Sequence, residues 1–264
     1  GVRALACSAR NVTLSNGVRI EANAVIDARG IPHPEHLTGG WQKFVGQRMK
    51  LAAPHGLGAP LVKDVTVAQH DDYRFVHCLP FGPDEVFIAD TYYAGDAQLD
   101  VVTLRARIAE YAAARGWDIA EILSEEHGVL PVIAGGDFDA FWRSTGGTVA
   151  RAGERAGMFQ GVTRCYLPDA VRYALALARQ TDLSGAGLAA FSESWARRHW
   201  QRARFPRSLS AMLFAGAKPA QRHSVLERFY SLDHRLIERF NAGRMTAFDK
   251  ARILVGKPPI PISM

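Results

Sequence analysis

The sequence predicts a mixed α/β chain of the α+β kind, with strands gathered in its first half and helices in its second. Three observations carry that prediction. Between residues 41 and 93 the chain runs through four strand-like segments separated by breaks rich in Gly, Pro and Asp. After Pro168 the apolar residues recur at helical spacing almost to the end. Of the 264 residues, 48% are hydrophobic and 22% charged, which supplies a sizeable core and excludes a disordered chain.

The elements follow in order. Val12–Ile20 reads as a hairpin, because two alternating runs flank Asn16-Gly17, a pair suited to the positive φ angles of a type I′ turn. Ala24–Gly30 reads as a buried strand ending in Asp27 and a glycine. Strands over Trp41–Gln47, Leu61–Val67, Tyr73–Leu79 and Val86–Tyr92 predict an antiparallel sheet with one buried face. Val101–Arg115 is helical, with Leu104, Ile108, Tyr111 and Ala112 on one stripe and Gly116 as the stop. A further strand lies around Val129–Ile133. Helices then cover Pro168–Gln180, with Pro168 and Asp169 in the first turn, 187–215 with a break at Pro206, 222–241 and 246–255. Lys257-Pro-Pro-Ile-Pro makes an extended end, and no internal repeat is present.

Charge is divided unevenly. Residues 1–150 carry 13 Lys+Arg against 18 Asp+Glu, and residues 151–264 carry 19 against 8. The densest basic stretch, Trp195–Arg207, is followed by Leu209, Met212, Leu213 and Phe214. Such a segment fits an interfacial helix whose rings sit at headgroup depth while guanidinium groups meet phosphates. It fits equally a solvated basic helix whose Trp and Phe pack inward. No nucleic-acid-binding motif accompanies the charge, so no nucleic-acid partner is expected.

Cys7, Cys78 and Cys165 make neither a disulfide framework nor a CxxC pair, which points to a reducing compartment, and Cys165 reads as a structural thiol. His33, His36 and His77 have no metal-ligand spacing and no Ser or Cys partner, so neither a metal site nor a hydrolase triad is expected. No apolar run approaches the ~18–20 residues of a membrane span, and no signal peptide opens the chain. Collagen, secreted mini-proteins and integral membrane proteins are excluded. The start at Gly1, with Asn11–Gly30 reading as domain interior, leads to the expectation of a later part of a longer protein.

Several segments, in order, carry a family likeness. They are Ala24-Val-Ile-Asp-Ala-Arg-Gly30, Trp41-Gln-Lys-Phe-Val-Gly-Gln47, Asp72-Tyr-Arg-Phe-Val-His-Cys-Leu-Pro80 and Ile88-Ala-Asp-Thr-Tyr-Tyr93. Gly128-Val-Leu-Pro131, Arg155-Ala-Gly157, Tyr166-Leu-Pro168, Ile237–Gly243 and Asp249–Pro259 continue the series. Together they resemble the bacterial lycopene β-cyclases, flavoproteins of carotenoid biosynthesis. The resemblance implies an FAD-binding flavoprotein-like fold with an antiparallel substrate-domain sheet and C-terminal helices, the N-terminal dinucleotide-binding βαβ unit being missing. It divides the chain into a remnant of the FAD-binding domain (1–40), a substrate-binding sheet domain (41–150), and a flavin-contacting loop with the C-terminal helical region (151–264).

The implied reaction is a proton-triggered cyclisation of the ψ ends of lycopene to β-rings, without net redox change. An acid protonates the terminal double bond, a neighbouring double bond attacks the cation, and a ring proton leaves. That chemistry needs a positioned acid in an apolar pocket and negative or π-electron density beside the cation. In the family, the strand matching Phe87–Thr91 carries a glutamate and then an aspartate; here Ala89 and Asp90 stand there. The carboxylates that could take over are Asp90, Glu126 in Glu125-Glu-His-Gly-Val-Leu-Pro131, and Asp64 in Lys63-Asp-Val-Thr66. Taken alone, Asp90 and Asp64 read more readily as solvated or turn-bonded groups and Glu126 reads either way, and Asp90 points away from the face of Ala89 on a regular strand.

For the cofactor, the resemblance implies FAD in its reduced form, with NAD(P)H as reductant. Asp27 and Gly30 match a strand end that passes close to it, while Gly153, Gly157 and Thr163 match a second contacting loop before a helix N-terminus. Family members read His-Pro-Thr-Thr-Gly-Tyr-Ser where this chain has Gln160-Gly-Val-Thr-Arg-Cys-Tyr166, so Arg164 replaces a glycine. A membrane-dissolved substrate implies a cytoplasmic protein held at the inner face of the membrane through residues 195–214. Two alternatives stay open: a degenerate member that binds carotenoid or lipid without cyclising it, and another FAD-dependent oxidoreductase of related fold.

Overall fold

In the computed structural model, which describes residues 1–31, 34–70, 72–146 and 148–255, the chain opens with β1 (Ala4–Cys7), β2 (Asn11–Leu14) and β3 (Arg19–Glu21), an antiparallel sheet in that order. The expected hairpin forms, with a different turn. Leu14 N–H donates to Val18 O at 2.9 Å, and Gly17, at φ +83°, is the only left-handed residue between the strands. The loop is therefore three residues closed by a single glycine, and Asn16 contributes its side chain, accepting from Val18 N–H at 3.2 Å.

β4 is only Ile26–Asp27, the part of 24–30 that finds a partner, in parallel pairing. Then come β5 (Leu37–Leu51), β6 (Leu61–Asp64), β7 (Arg74–Gly82), β8 (Glu85–Ala94), α1 (Val101–Ala114) and β9 (Ile119–Gly136). Their sheet runs β6-β7-β8-β5-β9, with β6, β7, β8 and β5 antiparallel as expected. α1 buries the predicted stripe of Leu104, Ile108, Tyr111 and Ala112 against Val45, Met49, Val76 and Ile88, and stops at Gly116, φ +70°. β9 begins ten residues before the expected strand. It is an edge strand whose first half is mostly exposed, so no apolar alternation marks it.

α2 (Phe138–Ser144) was not expected; Asp137 caps it, accepting from Asp139 and Ala140 N–H at 2.9 and 3.0 Å. β10 (Ala150–Arg151) pairs with β4. The helices that follow are α3 (Leu167–Leu177), α4 (Gly185–Arg202), α5 (Arg204–Ala211), α6 (Arg222–Tyr230), α7 (His234–Asn241) and α8 (Ala247–Leu254). The break expected at Pro206 falls at Ala203, because proline in the first turn of a helix costs no hydrogen bond. The helix expected over 222–241 is cut at 231–233, where Asp233 caps α7 through Arg235 and Leu236 N–H. Thr246 and Asp249 form a capping box on α8. His33 and the extended end expected at Lys257 lie outside the described residues.

Packing divides the chain into two units. One combines Gly1–Thr38, Ile133–Ala211 and the described part of Leu232–Gly256; the other combines Gly39–Val132 and Met212–Ser231. The core of the first is aromatic, with Phe138, Phe141, Phe159 and Tyr173 buried together. Trp195 and Trp200 pack against it, 5.8 Å from the Tyr173 ring and 5.2 Å from the Phe138 ring. This corrects the interfacial reading of those two rings: they serve the core, and the arginines of α4 are left outside.

Candidate active site

Strand alternation gives the large sheet two chemically different faces. On β8, Val86, Ile88 and Asp90 point to the α1 side, while Phe87, Ala89, Thr91 and Tyr93 point to the other. Ala89, 3% exposed, is paired across the strands with Gly46 on one side and His77 on the other. The rest of this second face is ring-lined. Tyr73 stands 5.3 Å from Phe75 and 5.6 Å from Tyr93, and Phe75 meets His77 edge-on at 5.0 Å. Phe214 lies 6.1 Å from Tyr93, in the space a Cβ at Gly40 would fill. Gly46 and Gly128 play the same part for Phe87 and Phe44, whose rings lie over their Cα atoms.

Three polar groups interrupt the rings. Lys63 Nζ donates to the Tyr230 hydroxyl at 2.6 Å and sits 4.9 and 4.8 Å from the Phe75 and Tyr230 ring centroids. Burial and then the Lys63 charge push the His77 pKa down, so this imidazole is neutral at neutral pH. The Tyr73 hydroxyl is buried with no hydrogen-bond partner among the described residues, and burial pushes its pKa up. Sequence reasoning passed over Tyr73 and His77 as active-face groups. The signal available was their odd-numbered register with Phe75 on one strand.

The three candidate carboxylates are not brought together. Asp90 is wholly buried on the α1 side, where Arg74 Nε lies 3.0 Å from both of its oxygens and Nη2 donates at 2.5 Å. Asp64, on the same side, accepts from Tyr111 Oη at 2.8 Å, Arg115 Nη2 at 2.7 Å and the Thr66 hydroxyl at 2.6 Å. Burial raises its pKa, but these hydrogen bonds outweigh it and leave the carboxyl at about 2. Glu126 differs. Its neighbour Glu125 is hydrogen-bonded by Gln47 and Arg105 on the α1 side, whereas Gly128 lies under Phe44 of the second face. Alternation therefore sets Glu126 on the face of Ala89, on an exposed stretch of β9.

The expected flavin-contacting residues belong to the first unit. Parallel pairing of β4 with β10 carries the chain past Asp27 and Arg151 to Gly30 and Gly153, at φ +82° and +59°, where an added Cβ would meet nothing within 4 Å. Asp27 is saturated: Arg29 donates to it from N at 3.1 Å and from Nε and Nη2 at 2.9 Å, and Arg155 Nε lies at 2.9 Å. Burial works against ionisation there, yet these partners hold the carboxyl at about 2.

Gly157, φ +70°, answers to packing, since a Cβ there would come 2.9 Å from Phe138 and 3.1 Å from Phe141. Arg164 keeps a glycine-like φ of +53°, the only positive value among described non-glycine residues, and pairs with Glu154 at 2.9 Å. Thr163 donates to Asn241 Oδ1 at 2.8 Å, tying this loop to α7. The N-terminus of α3 already faces a carboxylate, Asp169, which pairs with Arg172 at 2.5 Å. Cys165 is half-buried. Among the described residues, no three His, Cys, Asp or Glu side chains are grouped to hold a metal, and no helix is long and apolar enough to cross a membrane.

Fold and face together define a class: a mixed α/β protein built on a sheet with one aromatic-lined side. The chain belongs to the lycopene cyclase family, whose sequence model, described as lycopene cyclase protein, matches residues 2–264. It is similar to the lycopene beta-cyclase of Pseudescherichia vulneris, 44% identical over 96% of this chain and 65% of that protein. It is also similar to that of Pantoea ananas, 42% identical over 97% of this chain and 66% of that protein. This chain thus spans just under two thirds of the length of these relatives. Among solved structures, tetracycline destructase Tet(51) superposes with a TM-score of 0.47 at 13% identity, over 97% of this chain and 69% of that one.

Proposed function

We propose that the protein cyclises the ψ ends of lycopene to β-rings by proton-triggered chemistry with no net redox change. Family membership supports this reading, and the aromatic face around Ala89 is the observation that carries it. A long polyene offers only apolar surface, which rings bind well, and the cation formed by protonating its terminal double bond is attracted to ring faces. The proton that starts the reaction is matched by one lost from the new ring. Neutral His77, paired across from Ala89, is the group on this face suited to receive it.

Glu126 is the carboxylate we assign to proton supply, because it alone of the three shares the face and meets solvent, from which it can be reprotonated. β9 is separated from β8 only by β5, so Glu126 lies roughly 10 Å from the strand of Ala89. Asp90 and Asp64, both engaged by arginines, hold the sheet against α1 instead.

FAD is the proposed cofactor, with Gly30 and Gly153 as its closest backbone approach, Asp27 and Thr163 fixing the two loops, and Gly157 shaping the second. The open Cβ positions at Gly30 and Gly153 fit a flat group lying against backbone. Bound there in its reduced form, maintained by NAD(P)H, FAD would contribute electron density. We further propose a peripheral position at the inner face of the membrane, where lycopene dissolves.

Ala89 favours a second reading, in which the chain binds the carotenoid without cyclising it. Expression in lycopene-accumulating cells decides between the two. Products with β-rings support cyclisation; unchanged lycopene that copurifies with the protein supports the binding reading; neither result sinks both.

A further inference from the structure

An open hollow of about 660 Å³ lies among the helices of the first unit and has no part in the proposed reaction. Arg202 at the end of α4, Arg204, Phe205 and Ser208 on α5, Met245 before α8, and Lys250 on α8 line it. None of its described lining residues is acidic, and no carboxylate pairs with Arg202, Arg204 or Lys250 among the described residues. Each long stem rests on other groups: Lys250 Nζ lies 5.8 Å from the Phe205 ring centroid, and the Arg202 guanidinium 5.8 Å from that of Trp195.

A fourth cation, Arg207, is buried beside them, stacked 3.7 Å over the Trp200 ring. Burial and then the charge of Arg204 push its pKa down to about 10, so Arg204 and Arg207 repel each other, and none of the described residues lining the hollow is a carboxylate. An anion in the hollow relieves that repulsion.

The surroundings are unlike those of a site for a dissolved anion. Leu254, four residues from Lys250 on the same stripe of α8, is 52% exposed, and Val255 beside it is 63% exposed. We propose that the hollow seats the phosphate of an anionic phospholipid headgroup, with Leu254 and Val255 at the end of α8 entering the acyl boundary. Charge complementarity fixes the headgroup, and the exposed apolar residues fix the bilayer as its source. The inference deepens the membrane part of the proposed function and does not depend on cyclisation.

The test is sedimentation of the full chain with phosphatidylcholine vesicles, with and without phosphatidylglycerol. Binding is expected only with phosphatidylglycerol and should weaken as salt is raised. The Arg204→Gln/Lys250→Gln double variant should bind roughly 30-fold more weakly, and Leu254→Ser should weaken binding while the unfolding temperature holds. Arg198, exposed on α4 and bonded to Ser194, lies outside the hollow, so Arg198→Gln should change little. Equal binding to phosphatidylcholine alone, or equal loss with Arg198→Gln, overturns the proposal. So does glycerol phosphate binding at the hollow without vesicle binding, which would make it a soluble-anion site. Conversion of detergent-dispersed lycopene, measured in parallel, tests the proposed function separately.

Discussion

At position 89 a methyl group stands where the proposed chemistry needs a proton. A carboxyl placed there would be enclosed by Gly46, His77 and aromatic rings, a burial that favours its protonated, proton-donating form. Ala89→Glu should therefore increase β-ring formation from lycopene, read as product ratio by chromatography, and lower the unfolding temperature because a buried site is being filled. Glu126→Gln should reduce whatever cyclisation the unaltered chain performs; unchanged turnover would remove Glu126 from proton supply. Asp90 is expected to act on stability. Asp90→Asn leaves Arg74 charged and buried, at a cost of about 3–5 kcal/mol in urea titrations. Replacing the pair together, Arg74→Met with Asp90→Leu, should recover most of that loss.

Elements show where one side chain sets the course of the chain. Gly157 is left-handed and faces Phe138 and Phe141, so Gly157→Ala incurs both backbone strain and overpacking. It should destabilise the first unit by about 2–4 kcal/mol, measured by chemical unfolding, and a loss of less than about 1 kcal/mol would mean the loop has another way to close. Elements that bury a regular stripe are legible in the amino-acid pattern alone: α1 ends where Gly116 says it should, and four strands fall within a few residues of their apolar runs. Elements defined by a partner are not. β9 shows no alternation over its exposed half, and β4 is cut to two residues by the length of β10. The α4–α5 break lies at Ala203 rather than Pro206 because proline is compatible with a first turn. For the site, alternation alone correctly separates Asp90 from Ala89. The side of the sheet that carries Glu126 cannot be read from the pattern, since it depends on the packing of Gly128 under Phe44.

Across the whole molecule, each unit holds a carboxylate whose ionised form is locked in by the fold: Asp27 in the first and Asp64 in the second, both at about 2. A depressed native pKa contributes stability above the unfolded value near 3.8, and that contribution disappears as pH falls towards 2. Urea midpoints followed by tryptophan fluorescence should drop between about pH 5 and pH 2, and Asp27→Asn with Asp64→Asn should flatten the drop. A dinucleotide's diphosphate is ordinarily held on a Gly-rich turn between a strand and a helix N-terminus. The one G-x-G-x-x-A spacing in these 264 residues, Gly185–Ala190, opens α4 after another helix, and a Cβ at Gly185 would meet Ala9 at 2.9 Å, so packing accounts for that glycine. Gly30 and Gly153 thus offer approach to a flat ring but no comparable seat for the diphosphate. Purified from flavin-replete cells, this chain should carry far less than one FAD per protein, judged by visible absorbance against protein concentration. Occupancy should rise when the remaining third of the Pantoea ananas relative is joined to it. Stoichiometric FAD on the 264 residues alone would show that the two glycine turns suffice, and the requirement for a separate diphosphate seat would fall.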